Sequence, residues 1–239
     1  MFPINDENPT ELRPWMTVLI LLANVAAWLV LQGGGEMARL EASVAVFGAQ
    51  PCEITATCRV VGLGWEAIFT SIFMHGSWMH LIGNMLFLWV FGNNIEDSMG
   101  HFRFLVFYLV CGVAAALAQI FFAPASQIPM VGASGAISGI MGAYILLYPR
   151  ARVRTYLPPI FVFHLRAFWF LLYWFVMQLL SGFLSLGMTE DEGGVAVWAH
   201  VGGFVAGLLL IRVFDRPRLV QAKRDGVHLS HDEVADLRW

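Results

Sequence analysis

Residues 132–148 read GASGAISGIMGAYILLY, an apolar run without a charged side chain that opens on a serine beside glycines. The run is shorter than the roughly 20 residues that a helix needs to cross a membrane. We therefore predict a short membrane helix whose first turn, with Ser134, lies below the membrane surface. A hydroxyl at such a helix start suggests chemistry only if a base and an oxyanion stabiliser lie elsewhere in the chain.

The composition of the whole chain predicts a membrane protein. Of the 239 residues, 58% are hydrophobic and 13% are charged, and the mean hydropathy is +0.67. Soluble domains carry roughly 25% charged residues. The formal net charge of −3 is too small to indicate a nucleic-acid partner, and the basic residues form no patch. At roughly 20 residues per span plus connections, the length suits about six helices in one bundle.

The apolar segments predict an all-α membrane protein, a bundle of six transmembrane helices. The predicted spans are residues 15–31, 67–91, 104–122, 134–148, 167–186 and 195–211. We expect a flexible arm over residues 1–14, one membrane domain over 15–214 and a polar tail over 215–239.

Three connections have a distinctive composition. The loop 36–65 mixes charged and aromatic residues, so we expect it to be partly structured at the membrane surface. Residues 92–103 predict a short polar turn. Residues 123–130 hold two prolines and no charge, which favours a non-helical loop lying against the bundle.

Lys and Arg residues are distributed unequally between alternate loops. Twelve of the fourteen fall on one side, and only Arg39 and Arg59 fall on the other. Cytoplasmic loops of multi-pass proteins carry the excess of basic residues. We therefore expect a multi-pass protein of the cell membrane, with both termini in the cytoplasm and the Ser134 end of the fourth helix on the outer side.

The cysteines are expected in two different environments. Cys52 and Cys58 fall in the loop assigned to the outside, where a disulfide and two unpaired thiols are both open possibilities. Cys111 falls within the third span, where we expect it to pack as a small apolar residue.

Three distant segments bring polar groups to the outer level. His80 and Asn84 lie one turn apart on the second helix, and His200 lies within the first two turns of the sixth. Acyl transfer needs a nucleophile, a base and donors for the oxyanion. We predict Ser134 as the nucleophile and His200 as its base. His80 and Asn84 are then the predicted oxyanion-stabilising residues.

Glycines beside these groups are predicted to support the site. Gly132 and Gly135 flank the serine, and Gly203 and Gly207 follow His200 on one helix face. Small residues let membrane helices approach closely, which would bring His200 within hydrogen-bond reach of the serine. The alternative is ordinary small-residue packing without chemistry, because a lone serine or histidine in a membrane helix is more often structural.

A metal site is another possible use of the histidines. His101 falls on the cytoplasmic side, away from His80 and His200. His75 is five residues from His80 and therefore off its helix face. We expect no metal and no other cofactor.

Taken together, the motifs resemble those of the rhomboid intramembrane serine proteases over residues 65–207. The motifs that carry the resemblance are GASG at 132–135, AHVGG at 199–203 with Gly207, His75 with His80 and Asn84, and Gly92 with Glu96 and Gly100.

The resemblance implies a six-helix core with a dyad of Ser134 and His200. It also implies an enzyme that cleaves transmembrane protein substrates within the lipid bilayer, near the outer membrane face. The fifth helix and the loop 187–194 would act as gate and cap. A non-enzymatic rhomboid-like protein that binds membrane clients is the alternative function.

Two positions depart from the family pattern. Many members have Trp-Arg in the first loop, whereas Trp65 is followed by Glu66 here. Some members pack a tyrosine against the catalytic histidine from one turn after the serine, where this chain has Ser138. We therefore expect Trp198 or helix packing to orient His200.

Overall fold

The protein folds as a helical bundle with a small sheet beside it; the computed structural model describes residues 1–185 and 196–227. The longer helices are α1 (Trp15–Val30), α2 (Met37–Phe47), α5 (Trp78–Met99), α6 (His101–Phe122), α7 (Ser134–Leu147), α8 (Ala167–Ser185) and α9 (Val197–Phe214). The shorter helices are α3 (Pro51–Ile54), α4 (Ala67–Thr70) and α10 (Pro217–Arg224). The strands are β1 (Phe2–Asp6), β2 (Arg152–Leu157) and β3 (Phe161–Arg166).

Helix α7 lies at the centre of the bundle, in contact with α5, α6, α8 and α9. A Cβ atom on Gly203 of α9 would overlap the carbonyl oxygen of Gly135, and one on Gly207 would overlap that of Gly139. Two helix backbones can touch in this way only where side chains are missing. The predicted close approach of the fourth and sixth helices is therefore confirmed.

The apolar helices suit a membrane protein. By length and composition, α6, α8 and α9 could each cross a bilayer, and α1 and α7 are shorter apolar helices. Within residues 1–185 and 196–227, three helices thus qualify as membrane spans. A bundle of six spans is a proposal, in which α1, α5 and α7 would supply the other three.

The predicted second span, 67–91, is wrong as a single helix. Helix α4 ends at Thr70, and α5 begins only at Trp78. The side-chain oxygen of Ser77 accepts a hydrogen bond from the backbone N–H of His80 at 3.1 Å and so caps α5. Hydropathy averaged over a whole span does not reveal this break, because apolar Ile72, Phe73 and Met74 lie beside it.

The polar turn predicted over residues 92–103 is mostly helix, the last two turns of α5. Glu96 is fully buried there and accepts hydrogen bonds from the backbone N–H groups of Met16 (2.9 Å) and Thr17 (2.8 Å). Its carboxylate thus satisfies free N–H groups at the start of α1 and faces the positive end of that helix dipole. The chain turns at Gly100, whose φ of +85° favours glycine.

The prediction of an all-α protein is wrong in the segment that carries most of the loop arginines. Strands β1, β2 and β3 form an antiparallel sheet in that order. In β2, exposed Arg152 and Arg154 alternate with buried Val153 and Thr155, the period of a half-buried strand. The predicted flexible arm is also wrong for Phe2–Asp6, because β1 pairs along the edge of β2.

The other connections agree better with expectation. The loop 36–65 is partly structured, since it holds α2 and α3. Its two cysteines, Cys52 and Cys58, form a disulfide with Cα atoms 5.3 Å apart, which is one of the two possibilities left open by the sequence. Residues 123–130 form no helix. Cys111 is buried in α6 as predicted, and the polar tail begins with α10.

Asp6 anchors β1 to the bundle. Its side chain accepts hydrogen bonds from the amide of Asn94 at 2.7 Å and from the hydroxyl of Tyr144. Burial raises the pKa of Asp6 from 3.8 to about 6, while the Tyr144 hydrogen bond and the nearby Lys223 charge oppose this rise. The protonated carboxyl is therefore favoured more in the folded protein than in the unfolded chain.

This raised pKa predicts a stability that falls as the pH rises. Between 3.8 and about 6 the folded state binds more protons than the unfolded state, so the free energy of unfolding decreases across this window. The decrease should approach about 3 kcal/mol at most. The measurement is thermal unfolding of the detergent-solubilised protein across this pH window. In Asp6→Asn the free energy of unfolding should decrease less with rising pH, whereas the exposed-site control Asp225→Asn should show the same decrease as the wild type. An equally steep decline in Asp6→Asn would contradict the prediction.

Candidate active site

Ser134 is the first residue of α7, directly after the chain turns at Gly132. The φ of Gly132 is +122°, and its N–H donates to the carbonyl oxygen of Ser71 at 2.9 Å. N–H groups in the first turn of a helix have no partner within the helix, and the helix dipole favours negative charge there. The serine hydroxyl therefore lies where a developing oxyanion would be stabilised.

His200 meets this serine across the contact between α7 and α9. Its Nε2 atom lies 2.7 Å from Oγ of Ser134, within hydrogen-bond distance. The two helices come this close because Gly203, one turn further along α9, packs on the backbone of Gly135. Glycine packing thus brings together two side chains that are 66 residues apart in sequence.

His80 and Asn84 lie beside the serine, on the side of Gly132. A Cβ atom on Gly132 would come within 2.7 Å of His80 Nε2 and 3.4 Å of Asn84 Nδ2, so only glycine leaves this space free. The N–H of Gly76 donates to His80 Nδ1 at 3.4 Å, which leaves the hydrogen of a neutral imidazole on Nε2. Asn84 Nδ2 is buried without a hydrogen-bond partner among the described residues. A buried unpaired donor of this kind is costly, and its cost is offset when a ligand accepts from it.

A cavity of about 450 Å³ connects these groups. Its volume lies in the range of ligand pockets, roughly 300–1,000 Å³. Residues from five helices line it, among them Ser134, His200, His80, Asn84, Trp174 and Gln178. All four predicted site residues therefore face one space.

Two side chains of α8 at this cavity are not among the predicted site residues. Oε1 of Gln178 lies 2.9 Å from Nδ1 of His200, and the ring of Trp174 lies 5.9 Å from the His200 ring, centroid to centroid. Of the two expected sources of His200 orientation, helix packing fits these contacts of α8, whereas Trp198 stacks on Phe122 at 4.0 Å between ring centroids. The sequence does hold a signal for Gln178, because it is the single amide side chain within apolar α8. Polar residues in membrane helices usually face protein or a cavity.

His75 and His101 take no part in the contact between His200 and Ser134. His75 is fully buried, with its ring edge-on to His80 at 5.1 Å between centroids. His101 contacts Glu96 where α5 passes into α6. Within residues 1–185 and 196–227, no group of three or more His, Cys, Asp or Glu side chains is arranged to hold a metal ion.

The structure shows the surroundings of the positions that depart from the rhomboid pattern. Ser138 donates its hydroxyl hydrogen to the carbonyl oxygen of Ser134 at 2.6 Å and so stays within its own helix. Trp65 and Glu66 lie in a 3₁₀ turn, and Trp65 is exposed. The predicted cap loop, 187–194, lies outside the described residues.

Known proteins resemble this chain over the same region. The rhomboid domain family model matches residues 63–216, which include every residue of the site described above. The chain is 29% identical over 209 residues to rhomboid protease GluP of Bacillus subtilis, an alignment that covers 86% of this chain and 36% of that protein. It is 25% identical over 212 residues to rhomboid protease AarA of Providencia stuartii, covering 82% of this chain and 70% of that protein.

A third relative is the mitochondrial Rhomboid protein 1 of Saccharomyces cerevisiae, 31% identical over 98 residues, or 39% of this chain and 28% of that protein. The chain thus spans well under half of the length of GluP and of the yeast protein. The family model nevertheless covers more than half of the chain, including α5, α6, α7 and α9. This protein belongs to the rhomboid family, whose members are helical and embedded in membranes.

Proposed function

We propose that this protein is an intramembrane serine endopeptidase. The observation that carries the proposal is the 2.7 Å contact between His200 Nε2 and Ser134 Oγ, at a helix start and inside a cavity. The names of GluP and AarA, both rhomboid proteases, support the same activity. Because the chain spans 36% of GluP, the proposal concerns the rhomboid domain only.

The proposed reaction has two steps. His200 takes the proton of Ser134 through Nε2, and Oγ attacks the carbonyl carbon of a substrate peptide bond. The bond to the leaving nitrogen then breaks, His200 returns the proton to that nitrogen, and an ester between Ser134 and the substrate acyl group remains. In the second step, a water molecule gives a proton to His200 while its oxygen attacks the ester carbonyl carbon. The bond from that carbon to Ser134 Oγ then breaks, and His200 returns the proton to Oγ.

The negative oxygen formed in each step needs donors on one side of the serine. His80 Nε2 and Asn84 Nδ2 both face the space beside Gly132, and the first turn of α7 adds backbone N–H groups. Donors that are already in place before the reaction stabilise the transition state without having to reorganise.

Asn84→Ala is expected to lower kcat by roughly 10²- to 10³-fold with a smaller change in KM, because an oxyanion donor acts in the transition state. The measurement is cleavage of a single-span substrate in reconstituted vesicles over a range of substrate densities. Asn93→Ala, the same change towards the other end of α5, is the matched control and should leave kcat unchanged. A wild-type kcat in Asn84→Ala would remove Asn84 from the proposed oxyanion site.

We also propose an orientation, with six spans, both termini in the cytoplasm and the serine near the outer face of the cell membrane. The sheet that carries Arg152 and Arg154 would then be cytoplasmic, as the distribution of basic residues requires. The disulfide between Cys52 and Cys58 would lie outside, where disulfides persist. The two protease relatives come from bacteria, which favours the cell membrane over the mitochondrial membranes of the yeast relative.

The proposed substrates are transmembrane proteins that enter the site from the lipid bilayer. Mass spectrometry of the products from a panel of single-span substrates would locate the cut. The proposal predicts cleavage near the outer end of the substrate span. Cleavage at the cytoplasmic end would reject the orientation while leaving the protease activity in place.

The alternative is a non-enzymatic rhomboid-like protein that binds membrane clients. A fluorophosphonate probe separates the two functions because it reacts covalently only with an activated serine. Labelling at Ser134 of the folded protein supports the protease. A folded protein that stays unlabelled supports the alternative.

A further inference from the structure

Both ring nitrogens of His200 have a partner. Nε2 lies 2.7 Å from Ser134 Oγ, and Nδ1 lies 2.9 Å from Oε1 of Gln178. An amide oxygen can only accept a hydrogen bond, so Nδ1 must carry the hydrogen in this arrangement. The lone pair of the neutral ring then lies on Nε2, on the side of the serine.

The opposite tautomer would not be a base for this serine. With the hydrogen on Nε2, the ring could only donate towards Ser134 Oγ, and the proton of the hydroxyl would have no acceptor there. The hydrogen bond that one ring nitrogen makes decides which tautomer is present. The partner of Nδ1 therefore controls whether His200 can act on Ser134.

No carboxylate within residues 1–185 and 196–227 takes this position, because no salt-bridge contact of His200 lies within 4.0 Å. An ionised carboxylate would be costly among the apolar residues of α8, whereas a neutral amide accepts the same hydrogen bond without a charge. A glutamine is thus an orienting group suited to a site below the membrane surface.

Gln178 and His200 lie on different helices. In the most apolar stretch of α8, 22% of the residues are buried inside the protein, against 39% in α6 and 33% in α9. The ring of Trp174, one turn before Gln178, lies 5.9 Å from the His200 ring, centroid to centroid. Orientation of His200 therefore depends on the docking of α8 against α9.

We infer that Gln178 is a positioning residue, which holds His200 in the tautomer that can deprotonate Ser134. This inference rests on the proposed serine-protease function and adds a third member to its dyad. If Gln178 has this role, His200 can take the proton of Ser134 only while α8 is packed against the site.

The test compares three variants with the wild-type protein in vesicles. Gln178→Met keeps the length of the side chain but removes the acceptor, and it should lower kcat roughly 10- to 100-fold with little change in KM. Gln178→Glu keeps a carboxyl oxygen as acceptor in either protonation state, and it should restore most of kcat. Gln221→Met, the same change at an exposed position of α10, should behave as the wild type.

The thermal midpoint of each variant is measured alongside, and Gln178→Leu replaces Gln178→Met if the latter does not fold. A folded apolar variant with wild-type kcat overturns the inference, and so does a Gln178→Glu enzyme that is as slow as the apolar one. Ser134→Ala is run in parallel. If Ser134→Ala still cleaves, the proposed function itself fails; if it is inactive while the apolar Gln178 variant is fully active, only the role of Gln178 fails.

Discussion

Ser134→Ala is expected to abolish cleavage of a single-span substrate, with a loss on the order of 10⁴-fold or more. The substitution removes the atom that attacks the substrate carbonyl, and the contact of His200 with Oγ at 2.7 Å is lost with it. Alanine is a strong helix former and smaller than serine, so the start of α7 should keep its structure. The measurement is the cleavage rate in reconstituted vesicles, with the thermal midpoint of the same sample.

Ser138→Ala is the matched control for this variant. It removes a hydroxyl from the same helix, one turn further on, that donates its hydrogen to the carbonyl oxygen of Ser134. Cleavage and fluorophosphonate labelling should both persist in Ser138→Ala and both disappear in Ser134→Ala. A folded Ser134→Ala protein that cleaves at the wild-type rate would refute the serine mechanism.

Gly207→Ala is expected to separate α7 from α9. The added methyl group would overlap the carbonyl oxygen of Gly139, a backbone atom that cannot rotate away. Overpacking of this kind typically costs roughly 1–3 kcal/mol, and more when the backbone must move. Since the same contact holds His200 against Ser134, the thermal midpoint and the rate of fluorophosphonate labelling should fall together.

Gly83→Ala is the matched control for the glycine contact. Gly83 also lies within a helix, but a Cβ atom there would have no neighbour within 4 Å. Replacing a helical glycine with alanine where there is space should stabilise by roughly 0.5–1 kcal/mol. If Gly207→Ala were as stable as Gly83→Ala, the direct contact of the two backbones would not be needed for the fold.

The sequence predicted that four polar side chains meet at one site, and the structure brings these four together at the cavity. Ser134, His80 and Asn84 follow from local patterns, since a helix start and a one-turn spacing are visible in a few residues. His200 could be added because glycines at three and seven residues after it indicated a face for close packing. Their common depth came from the distribution of Lys and Arg over the loops of the whole chain.

The sequence prediction failed where a residue acts on a distant partner. Glu96 reads as part of a polar turn, yet it is buried because its carboxylate meets the first turn of α1. The residues of β1 read as a flexible arm, yet they pair with a strand about 150 residues away. In each case the deciding interaction is a long-range hydrogen bond, which leaves no periodic pattern in the chain.

By itself the sequence determined a membrane-embedded helical protein, the glycine faces that let two helices meet, and the residues of the candidate dyad. These follow from hydropathy and local spacing, which act within a single segment. Only the tertiary structure decided the sheet beside the bundle, the break before α5 and the contact of Gln178 with His200. That contact exists because α8 docks beside α9, and the position of one helix against another depends on the packing of the whole bundle rather than on the residues of either helix alone.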